Sequence, residues 1–398
     1  MDVVIISNYW HFPSEKSSSR YNTIAEIVAE NGDSAEVITS KFYHTQKKHR
    51  AYDSFDVPYK VTLLDERAYK KNVSPARLLA HGEFASNVIK YLSSRNKPDV
   101  IYLFVPPAGL AKKVVKFANK NGIRIIIDVL DLWPEAFGMF LPKIVSETLL
   151  YPMKKNVEYA YTNADSVIAV SENYVKRAMK CNKKCKEGHC VFIGTDIAAF
   201  DKAAENAPEL PGKLRPVTMA YIGMLGHSYD LCGVMDAMKL LINQGYDNVE
   251  LLVMGDGPLR EKFEIYAHEL DLPVRFTGRL SYEEMAKHLV KCDIGLNVLN
   301  CKAVQSIINK HADYVSAGVP VINVQTDKEF SGLLEQYNAG ISCEPGDVIS
   351  LATAIQKIAD DEGLRAIMGE NSRKLAEEKF DRTKTYKEII SVIKGILK

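Results

Sequence analysis

A lysine and an aspartate, Lys310 and Asp313, stand three positions apart in a stretch that the sequence predicts to be a short helix. Side chains at this spacing lie on one helical face. Gly318 and the apolar run 319–322 follow, which places the pair at the carboxyl edge of a parallel sheet, where open α/β sheets bind ligands. A lysine there can bind a phosphate and an acid can bind a ribose. The pair therefore predicts a nucleotide site; an acid exposed on the surface without a ligand is the alternative for Asp313.

Glycine turns follow two other predicted strands in the same half of the chain. Gly223 and Gly226 come directly after the apolar run 217–222. Glycines let the backbone approach a diphosphate, and the N-terminus of the next helix favours negative charge. An ordinary tight turn is the alternative. After a later strand, main-chain groups of Arg279 and Leu280 are in a position to meet a nucleobase.

The first half of the chain carries two loops with binding chemistry. His11, Lys16 and Arg20 lie in a polar, serine-rich loop after the first strand, which can bind a second substrate or an anion. The serines are also ordinary helix N-caps. Asp131 and Trp133 follow the fifth strand, where an acid can accept hydroxyl protons and a flat ring can pack on a sugar. A buried structural tryptophan is the alternative.

Two further groups have ligand chemistry and a simpler alternative. Glu329 follows a strand at the same edge as Lys310; it can bind a hydroxyl or merely stabilise a helix N-terminus. The cluster of Cys181, Cys185, His189 and Cys190 fits no standard zinc spacing. We therefore predict no metal site and interpret the cluster as a lysine-rich surface loop with free thiols.

Apolar runs alternate with amphipathic helical stretches along the chain, a pattern typical of parallel sheets with helices on both faces. The first predicted set of strands is 3–7, 35–39, 59–64, 100–105, 124–129, 166–171 and 190–194. The second set is 217–222, 249–254, 274–277, 294–298, 320–324 and 340–343. Predicted helices of the first half are 18–31, 75–94, 108–121, 143–162 and 172–179. The fold class is α/β.

The alternation stops in the Lys/Ala/Glu/Pro/Gly stretch 201–216, which we interpret as an interdomain linker. Two Rossmann-like, doubly wound domains are predicted, 1–200 and 215–380, facing a central cleft. The helix at about 380–398 carries an apolar stripe that suits packing back on the first domain.

The composition excludes several classes of protein. The 398 residues are too many for one ordinary hydrophobic core, and the formal net charge of +1 provides no global field for nucleic acid. We find no signal peptide and no run of the roughly 18 apolar residues that a membrane span needs. Seven cysteines, an odd count, favour a reducing cytoplasm. Basic clusters at 47–50, 70–71, 112–113 and 154–155 predict a solvated face, with peripheral association with an anionic membrane as the alternative.

The chain resembles the GT-B glycosyltransferases of family 4, in particular the bacterial branch that builds surface polysaccharides. The resemblance covers almost the full length and depends on the order and spacing of several motifs. They are Asp131-Leu132-Trp133-Pro134-Glu135, residues 164–172, Gly194-Thr195-Asp196, Gly255-Asp256-Gly257-Pro258 and residues 310–322.

This resemblance implies a retaining transferase that uses a nucleotide-activated sugar, usually a UDP-sugar, without a required metal or a cofactor. Two family acids eight residues apart contact the donor, the first near the sugar and the second on the ribose. Asp313 takes the second position, but Gln305 stands at the first and supplies no negative charge. Many relatives hold the diphosphate with an arginine and a lysine where Met224 and Tyr229 stand here. Lys310 is therefore the expected phosphate cation.

The leading hypothesis is a metal-independent, hexosyltransferase-like enzyme of lipopolysaccharide or capsule synthesis, in the cytoplasm or at the inner membrane face. It would transfer the donor sugar to a glycan or lipid-linked glycan. The predicted catalytic residues are Asp131, Gln305 and Glu329; the donor residues are Gly223, Gly226, Arg279, Leu280, Lys310 and Asp313; the acceptor-side residues are His11, Lys16, Arg20 and Trp133. The alternatives are a GT-B-type sugar-nucleotide epimerase and a nucleotide- or glycan-binding protein that has lost catalysis.

Overall fold

A computed structural model of the chain describes residues 1–13, 15, 19–51, 55–72, 74–140, 148–207, 216–303 and 305–397, with 138–140 as backbone only. The chain divides into two compact units. The first unit is Met1–Phe192 together with Thr383–Lys398, and the second unit is Ile193–Arg382. The division after Phe192 falls slightly before the predicted boundary at 200, because the segment that follows belongs to the second unit.

The first unit contains a seven-stranded parallel sheet in the order β5-β2-β1-β6-β7-β8-β9. Its central strands are rich in valine and isoleucine and are buried on both faces, as expected for a sheet covered by helices. In chain order the strands are β1 Asp2–Ile6, β2 Ser34–Ser40, β3 Phe42–Tyr43, β4 Lys48–His49, β5 Lys60–Leu64, β6 Val100–Val105, β7 Arg124–Val129, β8 Ser166–Ala169 and β9 His189–Cys190, where β3 and β4 form a separate hairpin. The strand order reverses between β1 and β6, the kind of point at which doubly wound sheets bind ligands.

In the described part of the first unit, the helices that precede the second unit are α1 Arg20–Glu30, α2 Pro75–Ser94, α3 Ala108–Lys120, α4 Tyr151–Asn163 and α5 Glu172–Met179. A 3₁₀ turn occupies Glu135–Phe140. Within the predicted helix 143–162, residues 148–149 and Tyr151–Asn163 are helical with a turn at Leu150, and residues 141–147 lie outside the described residues. The hairpin of β3 and β4 was not predicted, since each strand has only two residues and shows no periodicity.

The second unit contains a six-stranded parallel sheet in the order β12-β11-β10-β13-β14-β15. The strands are β10 Val217–Ile222, β11 Val249–Met254, β12 Val274–Gly278, β13 Ile294–Val298, β14 Val321–Val324 and β15 Gly340–Cys343. The helices are α6 Ile197–Ala204, α7 Leu231–Asn243, α8 Arg260–Glu269, α9 Tyr282–Leu289, α10 Asn309–Ser316, α11 Glu329–Tyr337, α12 Val348–Asp360, α13 Glu362–Leu375 and α14 Arg382–Thr385. Here the order reverses between β10 and β13. The predicted linker is wrong at its start, because α6 extends into it.

The last helix, α15 Lys387–Gly395, returns to the first unit. Ile389 and Ile393 are buried in the same apolar core as Val3 and Ile5 of β1. The apolar stripe that the sequence predicts is thus a packing surface. Among the described residues, no helix is both long and apolar enough to cross a membrane.

Candidate functional site

Lys310 lies in the first turn of α10, and its side chain is buried beside the point where the second sheet reverses its strand order. Its ammonium nitrogen is 4.1 Å from the ring centroid of Tyr221 and 3.9 Å from that of Tyr229. This nitrogen has no hydrogen-bond partner within the described residues. Burial holds the pKa of Lys310 well below its usual value. The faces of the Tyr221 and Tyr229 rings stabilise the positive charge of the protonated Lys310 side chain, which is buried away from solvent.

The turn after β10 brings its backbone to the same ammonium group. Gly223 has a φ of 123°, which disfavours other residues, and a Cβ placed on it would lie 3.5 Å from Nζ of Lys310. The backbone of Gly255 packs directly against this turn. A Cβ on Gly255 would lie only 1.8 Å from the carbonyl oxygen of Gly223, so only glycine fits there. Tyr221 also donates from its hydroxyl to the carbonyl of Met224 at 2.7 Å. A bare backbone turn therefore lies directly over a buried cation.

This arrangement is chemically incomplete without an anion. An unpaired ammonium group that is removed from water carries a large desolvation cost, which a carboxylate or phosphate would offset. Phosphate can approach the backbone of Gly223 closely because no side chain intervenes. Lys310 and Gly223, both predicted from the sequence, are thus brought together at a position suited to binding a phosphate.

Asp313 lies one turn further along α10 and is half-buried. Its Oδ1 accepts hydrogen bonds from the hydroxyls of Thr195 (2.9 Å) and Tyr282 (3.2 Å). The carboxylate is thereby fixed in position within the second unit. The predicted contact of Asp313 with a ribose stays a prediction, and a ligand would share this carboxylate with two hydroxyl donors.

Gln305 and Glu329 lie on either side of Ser306. The Ser306 hydroxyl is 2.8 Å from a carboxylate oxygen of Glu329 and 2.8 Å from one of Asp327, although it has a single proton to donate. Oε1 of Gln305 is buried and has no hydrogen-bond partner in the described part of the chain. An unpartnered amide oxygen can accept a hydrogen bond from a hydroxyl, so the geometry is compatible with the predicted sugar contact. The catalytic assignments of Gln305 and Glu329 stay predictions.

The side-chain amide of Gln325 stabilises the backbone of the loop that contains Gln305 and Ser306. Nε2 of Gln325 donates to the carbonyl oxygens of Gln305 and Ser306, at 2.8 Å each. Asn297 in turn donates to Oε1 of Gln325 at 3.0 Å. The sequence interpretation missed this support, because Asn297 and Gln325 stand within or beside apolar strands and belong to no motif.

The remaining donor-side predictions lie at the same edge of the second sheet. Gly226 is buried in the turn after β10, while Arg279 is exposed directly after β12. Leu280 is half-buried and precedes Ser281, which caps α9 in a reciprocal hydrogen-bond pair with Glu284. Capping accounts for Ser281 and Glu284 without a ligand. Contacts of Gly226, Arg279 and Leu280 with a nucleotide stay predictions.

In the first unit, Asp131 and Trp133 contact each other after β7. The indole N–H of Trp133 donates to Asp131 Oδ2 at 3.0 Å, and the ring itself is buried. Burial raises the pKa of Asp131, while the hydrogen bonds from Trp133 and from the backbone oppose this effect. The structure thus supports the alternative of a buried tryptophan, and a catalytic role of Asp131 stays a prediction.

Arg20 was predicted to face the acceptor, and its surroundings favour a structural role instead. Its side chain is only 3% exposed, and it donates to both carboxylate oxygens of Asp128, at 2.8 and 3.1 Å. The guanidinium also donates to the carbonyl of Val191 at 2.8 Å, and the hydroxyl of Tyr102 donates to Asp128 at 2.7 Å. The sequence could not reveal this pairing, since Asp128 is 108 positions away.

The other acceptor-side predictions concern the loop after β1. His11 is half-buried, and its Nδ1 is 3.3 Å from the hydroxyl of Tyr43. Lys16 lies outside the described residues. Within the described chain, no group of three or more His, Cys, Asp or Glu side chains is placed to hold a metal ion, and all seven cysteines are free thiols.

The sequence of the chain is similar to those of known glycosyltransferases. Residues 216–361 match the family model described as glycosyl transferases group 1. The capsular polysaccharide biosynthesis glycosyltransferase CapM of Staphylococcus aureus is 24% identical over 319 residues, covering 77% of this chain and 79% of that protein. An α-1,4-N-acetyl-D-galactosaminyltransferase of Campylobacter jejuni, whose name gives a PP-undecaprenol-linked glycan as acceptor, is 24% identical over 74% of this chain and 76% of its own.

Solved structures share the architecture over the whole chain. The Anabaena protein Alr3699/HepE in complex with UDP superposes with a TM-score of 0.72 at 14% identity, covering 99% of this chain and 100% of that one. WaaG, a glycosyltransferase involved in lipopolysaccharide biosynthesis, gives a TM-score of 0.67 at 15% identity, with 99% and 100% covered. Together with the strand orders of the two sheets, these matches show that the chain has the GT-B fold and that its residues 216–361 are similar to the group 1 glycosyl transferases.

Proposed function

We propose that the protein is a retaining glycosyltransferase that uses a UDP-sugar and transfers its sugar to a glycan or a lipid-linked glycan in surface polysaccharide synthesis. The observation that carries this proposal is the buried ammonium of Lys310, which lacks a hydrogen-bond partner in the described chain and faces the Gly223 turn. The UDP in the Anabaena complex and the capsular role of the S. aureus relative support the donor and the pathway.

In this proposal, Lys310 and the backbone around Gly223 hold the diphosphate of the donor. Asp313 binds the ribose, and the amide of Gln305 together with Glu329 orients the sugar. Because the side chain of Lys310 is already removed from water, its ammonium form attracts phosphate without the screening that bulk water would provide. The negative charge that develops on the leaving diphosphate is then stabilised most strongly in the transition state.

The proposed chemical step is metal-independent and proceeds on one face of the sugar. The bond between the anomeric carbon and the phosphate oxygen breaks, while the acceptor hydroxyl oxygen forms the new bond to that carbon. The hydroxyl proton passes to an oxygen of the departing diphosphate, so UDP leaves and the anomeric configuration is retained. The protein contributes by positioning the groups and stabilising phosphate charge.

A thermal-shift screen of nucleotide sugars, followed by product analysis, tests the proposal. A ligand that binds only the folded state raises the melting temperature, so UDP and one UDP-sugar are expected to do so. With that donor, UDP release must depend on an added glycan acceptor, and the product must keep the donor's anomeric configuration. Epimerised donor formed without an acceptor would identify an epimerase, and donor binding without any turnover would identify a binding protein.

UDP binding is also expected to take up a proton at Lys310. Burial lowers the pKa of this ammonium in the free protein, and a diphosphate beside it favours the protonated form and raises that pKa again. At about pH 8, where the nucleotide phosphate is fully ionised because its second pKa is about 6, affinity should therefore fall as the pH rises. Calorimetric titrations in two buffers with different ionisation enthalpies should give different binding heats. Equal heats in both buffers would contradict the prediction.

A further inference from the structure

The first unit contains a second group of cations that the proposed donor site does not use. Its members follow the carboxyl ends of β1, β5 and β7, lie in the β3–β4 turn, or belong to the first turns of α2. We call this group the Arg77 cluster; it consists of Tyr9, His44, Lys47, Tyr69, Asn72, Arg77, His81 and Trp133.

Aromatic rings surround the two charged groups of the cluster. The guanidinium carbon of Arg77 is 5.0 Å from the ring centroid of Trp133, 5.5 Å from that of Tyr9 and 5.9 Å from that of Tyr69. The ammonium of Lys47 is 5.0 Å from the Tyr69 ring as well. Two cations therefore contact one tyrosine ring, which holds like charges close together.

The hydrogen bonds of these cations go to neutral groups. Arg77 donates to the hydroxyl of Tyr9 at 2.7 Å and to the carbonyl of Asn72 at 2.6 Å, and Lys47 donates to Oδ1 of Asn72 at 2.5 Å. Nε of Arg77 is buried without a hydrogen-bond partner among the described residues. Within that same part of the chain, neither cation forms a salt bridge. The side chains of the cluster thus leave its positive charge uncompensated.

The neighbouring titratable groups respond to this charge. Burial, reinforced by Lys47 and Arg77, lowers the pKa of His44 to about 3, and burial and then Arg77 lower that of Lys47 to about 8. The acid Glu66 lies near the cluster, but burial raises its pKa, and its Oε2 accepts a hydrogen bond from Asn8 at 2.7 Å.

The cluster is closed on one side and open on the other. His81 and Trp133 are buried, and Nε2 of His81 is 2.9 Å from the hydroxyl of Tyr9. Lys47 and Arg77 are half-buried, and Asn72 between them is exposed. A ligand can therefore reach both cations from solvent.

We propose that the Arg77 cluster binds a phosphate or diphosphate group of the acceptor. This inference rests on the proposed function and specifies its acceptor as a glycan carried on phosphate. The planar guanidinium can donate two parallel hydrogen bonds to phosphate oxygens, and Lys47 adds a point charge. A phosphate ester carries up to two negative charges, which the two cations match.

Inorganic pyrophosphate is the probe, titrated calorimetrically into the full chain in the presence of saturating UDP. We expect Arg77→Gln and Lys47→Gln each to weaken pyrophosphate binding at least tenfold and to raise the KM for a phosphate-linked acceptor with little change in kcat. Arg67→Gln is the matched control, because Arg67 is 54% exposed and pairs with Glu83 at 2.5 Å. Thermal melting checks that each variant folds. If Arg77→Gln does not fold, Lys47→Gln still tests the proposal, because Lys47 lies in a surface turn.

Undiminished pyrophosphate affinity in both variants would overturn the proposal, as would the absence of pyrophosphate binding by the unaltered protein. UDP affinity, measured in parallel, is expected to stay unchanged in all three variants because the proposed donor residues belong to the second unit. Failure of the unaltered protein to bind UDP would count against the proposed transferase function. Failure to bind pyrophosphate would count only against the Arg77 cluster, so the two failures are distinguishable.

Discussion

Replacing Lys310 with methionine is expected to weaken UDP binding about 100-fold and to raise the melting temperature of the free protein. The loss of affinity corresponds to about 2.8 kcal/mol, near the upper range for hydrogen bonds to a charged group. A methionine of similar length keeps the contacts with Tyr221 and Tyr229 while removing the charge. Since the Lys310 ammonium is buried without a hydrogen-bond partner in the described chain, its removal ends a desolvation cost.

The expected gain in stability is about 1–3 kcal/mol, by analogy with other replacements of buried charge by apolar side chains. For a domain of this size, each kcal/mol shifts the melting temperature by roughly 2–4 °C. We expect the desolvation cost of the buried Lys310 ammonium in the free protein to be offset when a ligand binds. Lys310→Met is therefore expected to lower the affinity for UDP and, at the same time, to raise the melting temperature of the free protein.

Lys328→Met is the matched control for this experiment. Lys328 precedes α11 in the second unit, is 65% exposed and forms a salt bridge with Glu344. Exposed pairs contribute little, so neither UDP affinity nor melting temperature should change noticeably. Calorimetry with UDP and a thermal melt of the free proteins measure both quantities. If Lys310→Met retained the affinity of the unaltered protein, the phosphate role would be excluded; a lowered melting temperature would show that the charge stabilises the fold.

The sequence predicted the strands well because their long apolar runs depend only on local burial. It also located Lys310 and Gly223, which follow from the rule that loops at the carboxyl edge bind ligands. It did not predict that Tyr221 and Tyr229 would enclose the ammonium. Tyr221 belongs to an apolar strand, and its partner is 89 positions away, so the contact arises only from tertiary packing.

Arg20 and Arg77 of the first unit show more clearly what the sequence cannot predict. Arg20 stands in a loop rich in polar residues, and the sequence suggested a ligand contact, yet its side chain is buried against Asp128. Arg77 belongs to a helix and to no motif, yet within the described residues its guanidinium has only neutral hydrogen-bond partners. Which arginine has a carboxylate partner depends on strands brought together by the sheet, and spacing along the chain does not encode it.

Replacing Arg20 with methionine is expected to destabilise the protein by about 3–5 kcal/mol, the usual cost of removing one partner of a buried ion pair. The Asp128 carboxylate, 0% exposed, would keep only the hydroxyl of Tyr102 among the partners described here. The carbonyl of Val191 would also lose its donor, next to the end of the first segment of the unit. Chemical denaturation, monitored through both the transition midpoint and its slope, measures this change.

Arg67→Met is the control, since the exposed pair of Arg67 with Glu83 should contribute less than about 1 kcal/mol. The decisive comparison is the double variant Arg20→Met with Asp128→Leu, in which neither charge remains. If the cost of the single variant comes from an unpaired buried carboxylate, the double variant should recover most of the lost stability. If it is as unstable as Arg20→Met, lost packing against the Tyr386 ring, 5.0 Å from the guanidinium, is the larger contribution. A structural role of Arg20 also predicts that UDP affinity, measured on the folded protein, stays unchanged.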